Sequence, residues 1–317
     1  MLEVIIMKPD ILLVEPMMAF IEERLDADYT VHRLYDQSHK ASLEAALPKI
    51  RAVATGGGTG ISNEWIDKLP ALGVIAVNGV GMDRIDLAHA RSRNVDVATT
   101  LGVLTDDVAD LGIALTLSVL RNVASGDAYM RAGKWGKEPF PLGTSPKGKR
   151  IGILGLGQIG KAFGRRAEAF GMQVRYWNRS PVKDTQWKAC ATPVELAEDS
   201  DVLCVIIAAT AQTQNIVGPE VLKALGPKGV LINIARGTVV DEDALLAALN
   251  DGTIAGAGLD VFVNEPNIRP EFYAAPNTVL LPHQGSATLE TRVAMGELVL
   301  TNLKAYFAGE KPPTTVN

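Results

Sequence analysis

RIGILGLGQIGKAFGRRAEAF, Arg150 to Phe170, is the stretch from which the rest of the chain can be read. An apolar run of strand type, RIGIL, feeds directly into Gly155-Leu-Gly157-Gln-Ile-Gly160, and apolar residues at helical spacing follow. Each glycine has a physical use in such a passage. Gly155 permits the tight turn, Gly157 lets a pyrophosphate approach the backbone, and Gly160 lets the helix pack close on the strand. Phosphates then rest on the amides of the helix start, here Gln158 and Ile159. The strand QVRYW, ending at Trp177, supplies the second β of a βαβ unit. This stretch reads as a dinucleotide-binding unit.

Beyond that strand stand Asn178, Arg179 and Ser180. A dinucleotide-binding unit usually carries an acid there, about twenty residues past the glycines, to bond the ribose hydroxyls. An acid repels a 2′-phosphate, whereas Arg179 can pair with one and Asn178 and Ser180 can donate hydrogen bonds. The expectation is NADP(H) in preference to NAD(H). The plain alternative is a polar turn with a solvated arginine.

Working outward, short β-branched or apolar runs alternate with helical patterns almost throughout. ILLVE, YTVHRLY, IRAVAT, LGVIAV and VDVAT precede residue 100; RIGILG, QVRYW, DVLCVII, GVLINI, IAGAGLDVF and NTVLLP follow residue 149. Such alternation means βα units and parallel sheets covered on both faces. The expected fold is α/β, with two Rossmann-like, doubly wound parallel-sheet domains and a cleft between them. A long helix starting near Thr105 joins the halves, and the chain ends in another, ATLETRVAMGELVLTNLKAYFAG. If that last helix returns to the first domain, one domain comprises residues 1–99 and 283–317 and the other 100–282, with two crossings forming a hinge.

The bulk numbers exclude several classes. A chain of 317 residues favours two domains, and 47% hydrophobic with 21% charged residues describes a packed soluble protein. A net charge of −5 argues against a nucleic-acid or anionic-membrane surface. Cys190 and Cys204 have neither metal-ligand spacing nor a disulfide framework, so no metal site is expected and a reducing cytoplasm fits. The opening MLEVIIMKPDILLV, broken by Glu3, Lys8 and Asp10, reads as a first strand and not a signal peptide. LGIALTLSVL, Leu111 to Leu120, is too short to span a bilayer and reads as a buried helix.

Three segments end or follow strands on the side where α/β sheets place their sites: LINIARGTVVDEDAL with Arg236, LDVFVNEP with Asp260 and Glu265, and LLPHQGSAT with His283. Reducing a 2-keto acid needs a cation for the carboxylate and carbonyl, which Arg236 offers as a bidentate fork. A general acid must protonate the developing alkoxide, and histidine titrates in the right range. A carboxylate such as Glu265 can orient that histidine and favour its protonated form. Of the four histidines, His32, His39, His89 and His283, only His283 lies at a strand end in a Gly/Ser-rich setting.

The ordered segments NGVGMDRID, VLTDDVADLGIALTLSVLR, RAGKW, GILGLGQIG, NIARGTVVDEDAL, GLDVFVNEP and PHQGSAT resemble those of the D-isomer-specific 2-hydroxyacid dehydrogenases, and within them the glyoxylate/hydroxypyruvate reductases. The resemblance covers about Asn78 to Ala308. It implies NADPH-dependent reduction of glyoxylate or hydroxypyruvate to the D-2-hydroxy acid, with Arg236, Glu265 and His283 catalytic. It further implies a flavodoxin-like substrate-binding domain from the outer segments, a dimerisation segment near residues 105–147, and a homodimer. Val80 and Gly81 match carboxylate-binding amides, and Ser286 and Trp135 match pocket residues, Trp135 reaching in from the partner subunit. Thr105 matches a hydroxyl near the cofactor phosphates, Asp260 a residue by the nicotinamide, and Ala235 and His283 further cofactor neighbours. Without the family, Thr105 is a helix cap and Trp135 a loop anchor.

Two features depart from the pattern: Gln284 follows the histidine where an apolar residue is common, and ATGGGTG, Ala54 to Gly60, is unusually rich in glycine and is expected to border the substrate. They bear on which keto acid is preferred. A reductase of a larger or aromatic keto acid, such as hydroxyphenylpyruvate, is the alternative. A cofactor-sensing corepressor is the non-enzyme alternative, disfavoured because interaction tails are expected of one.

Overall fold

The computed structural model describes residues 8–36, 38 and 40–317. It divides into two compact units, Met1–Leu104 with Thr288–Asn317, and Thr105–Ala287. Residues 1–7 of the expected first strand, and His39, lie outside the described residues.

In the first unit the chain runs β1 (Asp10–Leu13), α1 (Ala19–Asp28), β2 (Thr30–Arg33), α2 (Lys40–Ala46), β3 (Ile50–Gly56), α3 (Asn63–Asp67), β4 (Val74–Asn78), α4 (Leu87–Ser92) and β5 (Asp96–Ala98). The sheet has the order β2-β1-β3-β4-β5 with every pair parallel, the order of the flavodoxin-like doubly wound fold. Its inner strands are apolar on both faces because helices cover both: Ile11, Leu13, Ala52, Ala54, Val74 and Ala76 pack on one side, Leu12, Val53, Ile75 and Val77 on the other.

The second unit contains α5 (Thr105–Leu120), α6 (Val123–Arg131), β6 (Arg150–Leu154), α7 (Gln158–Ala169), β7 (Gln173–Trp177), β8 (Lys188–Ala189), α8 (Pro193–Glu198), β9 (Val202–Val205), α9 (Pro219–Leu225), β10 (Val230–Asn233), α10 (Glu242–Asn250), β11 (Gly256–Leu259) and β12 (Thr278–Leu280). Its seven strands are ordered β12-β11-β10-β9-β6-β7-β8, all parallel. The strand order reverses beside β6, and ligands of open α/β sheets bind at such a switch point, outside the carboxyl ends of the strands. The helix α5 packs on α7, which Gly112 permits: a Cβ there would meet the Phe163 ring at 3.0 Å and Ile234 at 2.9 Å. Arg166 of α7 ties the pair together through Asp106 at 2.9 Å and Asp110 at 2.6 Å.

The last helix, α11 (Leu289–Phe307), belongs to the first unit and buries Val299, Leu300 and Leu303 against its sheet. The segment after it lies along β5: Ala98 bridges Thr315 antiparallel, and the Val316 amide donates to the Val97 carbonyl at 2.8 Å. An otherwise open sheet edge is thereby covered.

Three differences from the sequence reading have physical causes. The crossings fall at 104/105 and 287/288, not 99/100 and 282/283. His283 to Ala287 stay with the second unit because the Asp260 carboxylate accepts from the Gln284 and Gly285 amides, and the Asp260 carbonyl from the His283 amide. The helix from Thr105 ends at Leu120, and Asn122, in the left-handed region at φ 55°, redirects the chain into α6. The short elements α8 and β8 carry too few residues for periodicity to reveal them. Among the described residues, no single helix is long and apolar enough to cross a membrane, and Leu111 to Leu120 lie within α5, with Gly112, Ile113, Leu115, Thr116 and Leu120 buried.

Candidate active site

At the turn from β6 to α7 the glycines are required by their surroundings. Gly155 has φ +106°, and a Cβ there would lie 2.7 Å from the Ile207 backbone. A Cβ on Gly160 would meet the Gly155 carbonyl oxygen at 2.4 Å, so helix and strand approach only with glycine there. Around Gly157 there is open space, with nothing within 4 Å of a built Cβ. The first amide to find an acceptor at the cap is that of Lys161, which donates to the Gly157 carbonyl at 2.9 Å. The amides of Gln158 and Ile159 are thus left as helix-start donors. A cradle with open backbone and outward amides on a 12-residue helix fits a pyrophosphate.

The Asn178 side chain closes this loop from the neighbouring strand end. Its oxygen accepts from the Leu156 amide at 3.2 Å, and its nitrogen donates to the Ser180 carbonyl at 2.9 Å. Part of its hydrogen-bonding capacity, expected to serve a phosphate, is therefore spent on shaping the loop. Arg179 and Ser180 are exposed, and Arg179 makes no side-chain hydrogen bond or ion pair among the described residues.

At the carboxyl ends of β10, β11 and β12, three loops hold Arg236, Glu265 and His283. Asn233, 1% exposed, ends β10; its oxygen accepts from the Ala235 amide at 3.1 Å and its nitrogen donates to the Arg236 carbonyl at 3.0 Å. Arg236 precedes a 3-10 turn, Gly237–Val239, and its guanidinium donates to the Ala235 carbonyl at 2.8 Å. Gly237 is packed so tightly that a Cβ would sit 2.0 Å from the Phe262 carbonyl carbon, which lays the arginine loop directly on the segment leading to Glu265. That segment is held by two carboxylates: Glu242 accepts from the Val263 amide at 2.8 Å and Glu265 from the Phe262 amide at 2.7 Å. Asn233, Gly237 and Glu242 escaped the sequence reading. A polar residue ending the buried strand VLIN was the one available signal.

The other oxygen of Glu265 bonds Nδ1 of His283 at 2.6 Å. Burial works against the Glu265 charge, but the His283 bond, the Phe262 amide and the charges of His283 and Arg236 outweigh it and hold its pKa below the usual range. With Nδ1 committed to Glu265, Nε2 is the nitrogen left to exchange a proton with a ligand. The backbone of His283 is left-handed, φ 55°, a conformation uncommon outside glycine, held here by its amide bond to the Asp260 carbonyl at 2.9 Å. Asp260 is 1% exposed; burial raises its pKa, opposed by the Gln284 and Gly285 amides and the His283 charge. A histidine–carboxylate bond alone does not mark the site, since His32 pairs with Asp10 at 2.7 Å and His89 with Asp67 at 2.9 Å. What sets His283 apart is the Arg236 charge acting on its partner and its left-handed backbone.

Among the remaining expected residues, Thr105 begins α5 and Ala235 is buried beside Arg236. Ser286 is half-buried just beyond Gly285, and the Gln284 side chain turns back to donate to the Pro282 carbonyl at 2.9 Å. Trp135 is 76% exposed beyond α6. In the first unit, Val80 and Gly81 follow β4, where a Cβ on Gly57 would meet the Gly81 backbone at 3.3 Å; the glycine-rich loop therefore touches the turn that carries the two amides.

Comparison with known proteins identifies the family. The sequence profile of the D-isomer specific 2-hydroxyacid dehydrogenase, NAD binding domain, matches residues 113–285. The chain belongs to the D-isomer specific 2-hydroxyacid dehydrogenase family. A 2-ketogluconate reductase of Gluconobacter oxydans is 48% identical over 309 residues, 98% of this chain and 99% of its own. A hydroxyphenylpyruvate reductase of Plectranthus scutellarioides is 44% identical over 96% of this chain and 98% of its own. The structure of an NADPH-dependent glyoxylate/hydroxypyruvate reductase from Sinorhizobium meliloti, in complex with NADP and malonate, superposes with a TM-score of 0.91 at 41% identity, covering 98% of this chain and 97% of the other. This D-2-hydroxyacid dehydrogenase is thus a nicotinamide-dependent enzyme of 2-keto acid reduction, built on two parallel-sheet α/β domains.

Proposed function

We propose that this dehydrogenase reduces small 2-keto acids such as glyoxylate and hydroxypyruvate to the D-2-hydroxy acid, with NADPH preferred and His283 as general acid. The bond of 2.6 Å between His283 Nδ1 and Glu265 carries the reading. It leaves Nε2 to hold the proton that the carbonyl oxygen takes up. Arg236 receives the substrate carboxylate as a planar fork, its backbone fixed by Asn233 and Gly237. The resemblance assigns carboxylate binding also to Val80 and Gly81, and pocket roles to Ser286 and Trp135. The nicotinamide, when bound, supplies the hydride. Gln158 and Ile159 would bind its pyrophosphate, with Thr105, Ala235 and Asp260 as further cofactor neighbours, and Arg179 and Ser180 would bind the 2′-phosphate. The exposed Arg179, with no carboxylate partner among the described residues, supports the NADPH preference.

A homodimer is part of the proposal. Val123, Met130, Trp135, Phe140 and Leu142 are exposed on or just after α6, which buries none of its own residues. A patch of this kind suits a second copy of the chain. Reduction of an aromatic 2-keto acid is the second reading, favoured by the Plectranthus relative.

The test is kcat/KM for NADPH and NADH with saturating hydroxypyruvate, on the unsubstituted enzyme and on Arg179→Ala. Preference for NADPH, reduced about 10- to 100-fold by the substitution as a charge-assisted contact is lost, is the expected result. Equal use of both cofactors would remove Arg179 from the site, and faster turnover of hydroxyphenylpyruvate would favour the second reading.

A further inference from the structure

Two consecutive amides of the turn that carries Glu265 are each taken by a carboxylate, and only one of those carboxylates belongs to the reaction. Glu265 itself accepts from the Phe262 amide at 2.7 Å. The next amide, that of Val263, donates to Glu242 Oε1 at 2.8 Å, across 21 residues of chain. Among the described residues, this is the one hydrogen bond that ties the backbone of Phe262 to Glu265 to another element. The Phe262 ring anchors the start of the turn, buried edge-on to Phe272 with the centroids 5.4 Å apart. Past it, Asn264 stands in the left-handed region at φ 61°, a conformation uncommon outside glycine. The Val263 bond is therefore the hold on the part of the turn that runs on to Glu265.

Glu242 is not needed by its own helix. It opens α10, but Asp241 caps that helix, its side chain accepting from the Ala244 amide at 3.1 Å. Nor is Glu242 half of a surface ion pair, since Arg269 nearby is bonded to Asp243 and Glu271. The Glu242 carboxylate is half-buried, and burial raises its pKa, opposed first by the Val263 amide and then by the Arg269 charge. A charge kept in such a place costs free energy unless a hydrogen bond offsets it, and the Val263 amide is the donor that does so.

We infer that Glu242 is a positioning residue for the reaction: by holding the Val263 amide it sets the turn from which Glu265 reaches His283 Nδ1. Its effect on turnover passes through Glu265. The inference rests on the proposed general-acid role of His283 and extends it to a residue of α10. A merely structural role, in which Glu242 only ties α10 to the turn, lowers activity to the same degree whether or not the Glu265 carboxylate is present.

The experiment is a double-mutant cycle on kcat/KM for hydroxypyruvate with NADPH, using full-length Glu242→Ala, Glu265→Gln and the two combined, with Glu242→Gln beside them. Glu242→Ala is expected to lower kcat/KM about 3- to 10-fold, and no further than Glu265→Gln, because it acts through the same bond. Glu242→Gln still offers the Val263 amide an oxygen and stays within about twofold of the unsubstituted enzyme. In the Glu265→Gln background, the added loss from Glu242→Ala shrinks to less than about twofold, as for residues that share one interaction. Equal losses in the two backgrounds overturn the inference, as does a loss in Glu242→Gln as large as in Glu242→Ala. Activity of Glu242→Ala within about twofold of the unsubstituted enzyme overturns it as well. Circular dichroism checks the fold, and Glu242→Leu, which fills the half-buried space, takes the place of Glu242→Ala in the cycle where that variant does not fold. No loss in Glu265→Gln alone would overturn the reading of the His283 pair itself.

Discussion

Replacing Glu265 by Gln removes one charge and one acceptor from the pair with His283. The two carboxylate oxygens serve separate donors, the Phe262 amide at 2.7 Å and His283 Nδ1 at 2.6 Å. Gln offers a single oxygen, so one donor loses its partner. The bond to His283 matters more for chemistry, because it is what commits Nδ1 and leaves Nε2 to a ligand. A hydrogen bond to a charged group is worth about 1.5–3 kcal/mol, and the exposure of the two side chains, 42% and 32%, puts this one at the lower end. The value of kcat/KM for hydroxypyruvate reduction therefore falls about 10-fold in Glu265→Gln. Steady-state kinetics of Glu265→Gln beside the unsubstituted enzyme read this directly. A kcat/KM within about twofold of the unsubstituted enzyme would refute the orienting role and leave Glu265 holding the Phe262 loop. On the acid side, Glu265 has a depressed pKa, so its share of stability is present above the ordinary carboxylate range and is lost as pH falls through the depressed value.

Two further outcomes are expected. His283→Ala lowers kcat by roughly two to four orders of magnitude, the usual worth of a general acid, while the fold survives as judged by circular dichroism; near-normal turnover would remove it from the role. Gly155→Ala combines a φ of +106° with a Cβ 2.7 Å from the Ile207 backbone, so unfolding in denaturant should show a loss of about 2–4 kcal/mol, and an unchanged midpoint would mean the loop moves freely aside.

Much of the site was legible because it is written in short, local patterns. The strand–glycine–helix passage at Arg150 to Phe170 needs only nearest neighbours to be recognised; in the structure Gly155 has a positive φ and Gly160 lies against the Gly155 carbonyl. The α/β class followed equally from local alternation, and two all-parallel sheets are observed. Arg236, Glu265 and His283 could be suspected from their strand-end settings. That Glu265 reaches His283, 18 residues on, could not be read from either segment alone.

Tertiary structure decided the rest, because long-range contacts carry no periodic signature. Asp260 draws the Gln284 and Gly285 amides to itself and so keeps His283 with the second unit, five residues beyond the expected crossing. Asn178, expected at a phosphate, is partly spent on the Leu156 amide because β6 and β7 end side by side. Gly237 looks like any glycine until the Phe262 backbone is found where its Cβ would be. Sequence by itself determined which local units form, since hydrophobic period and glycine torsions act within a few residues. Which side chains then share a site depended on how parallel strands distant in the chain line up their carboxyl ends.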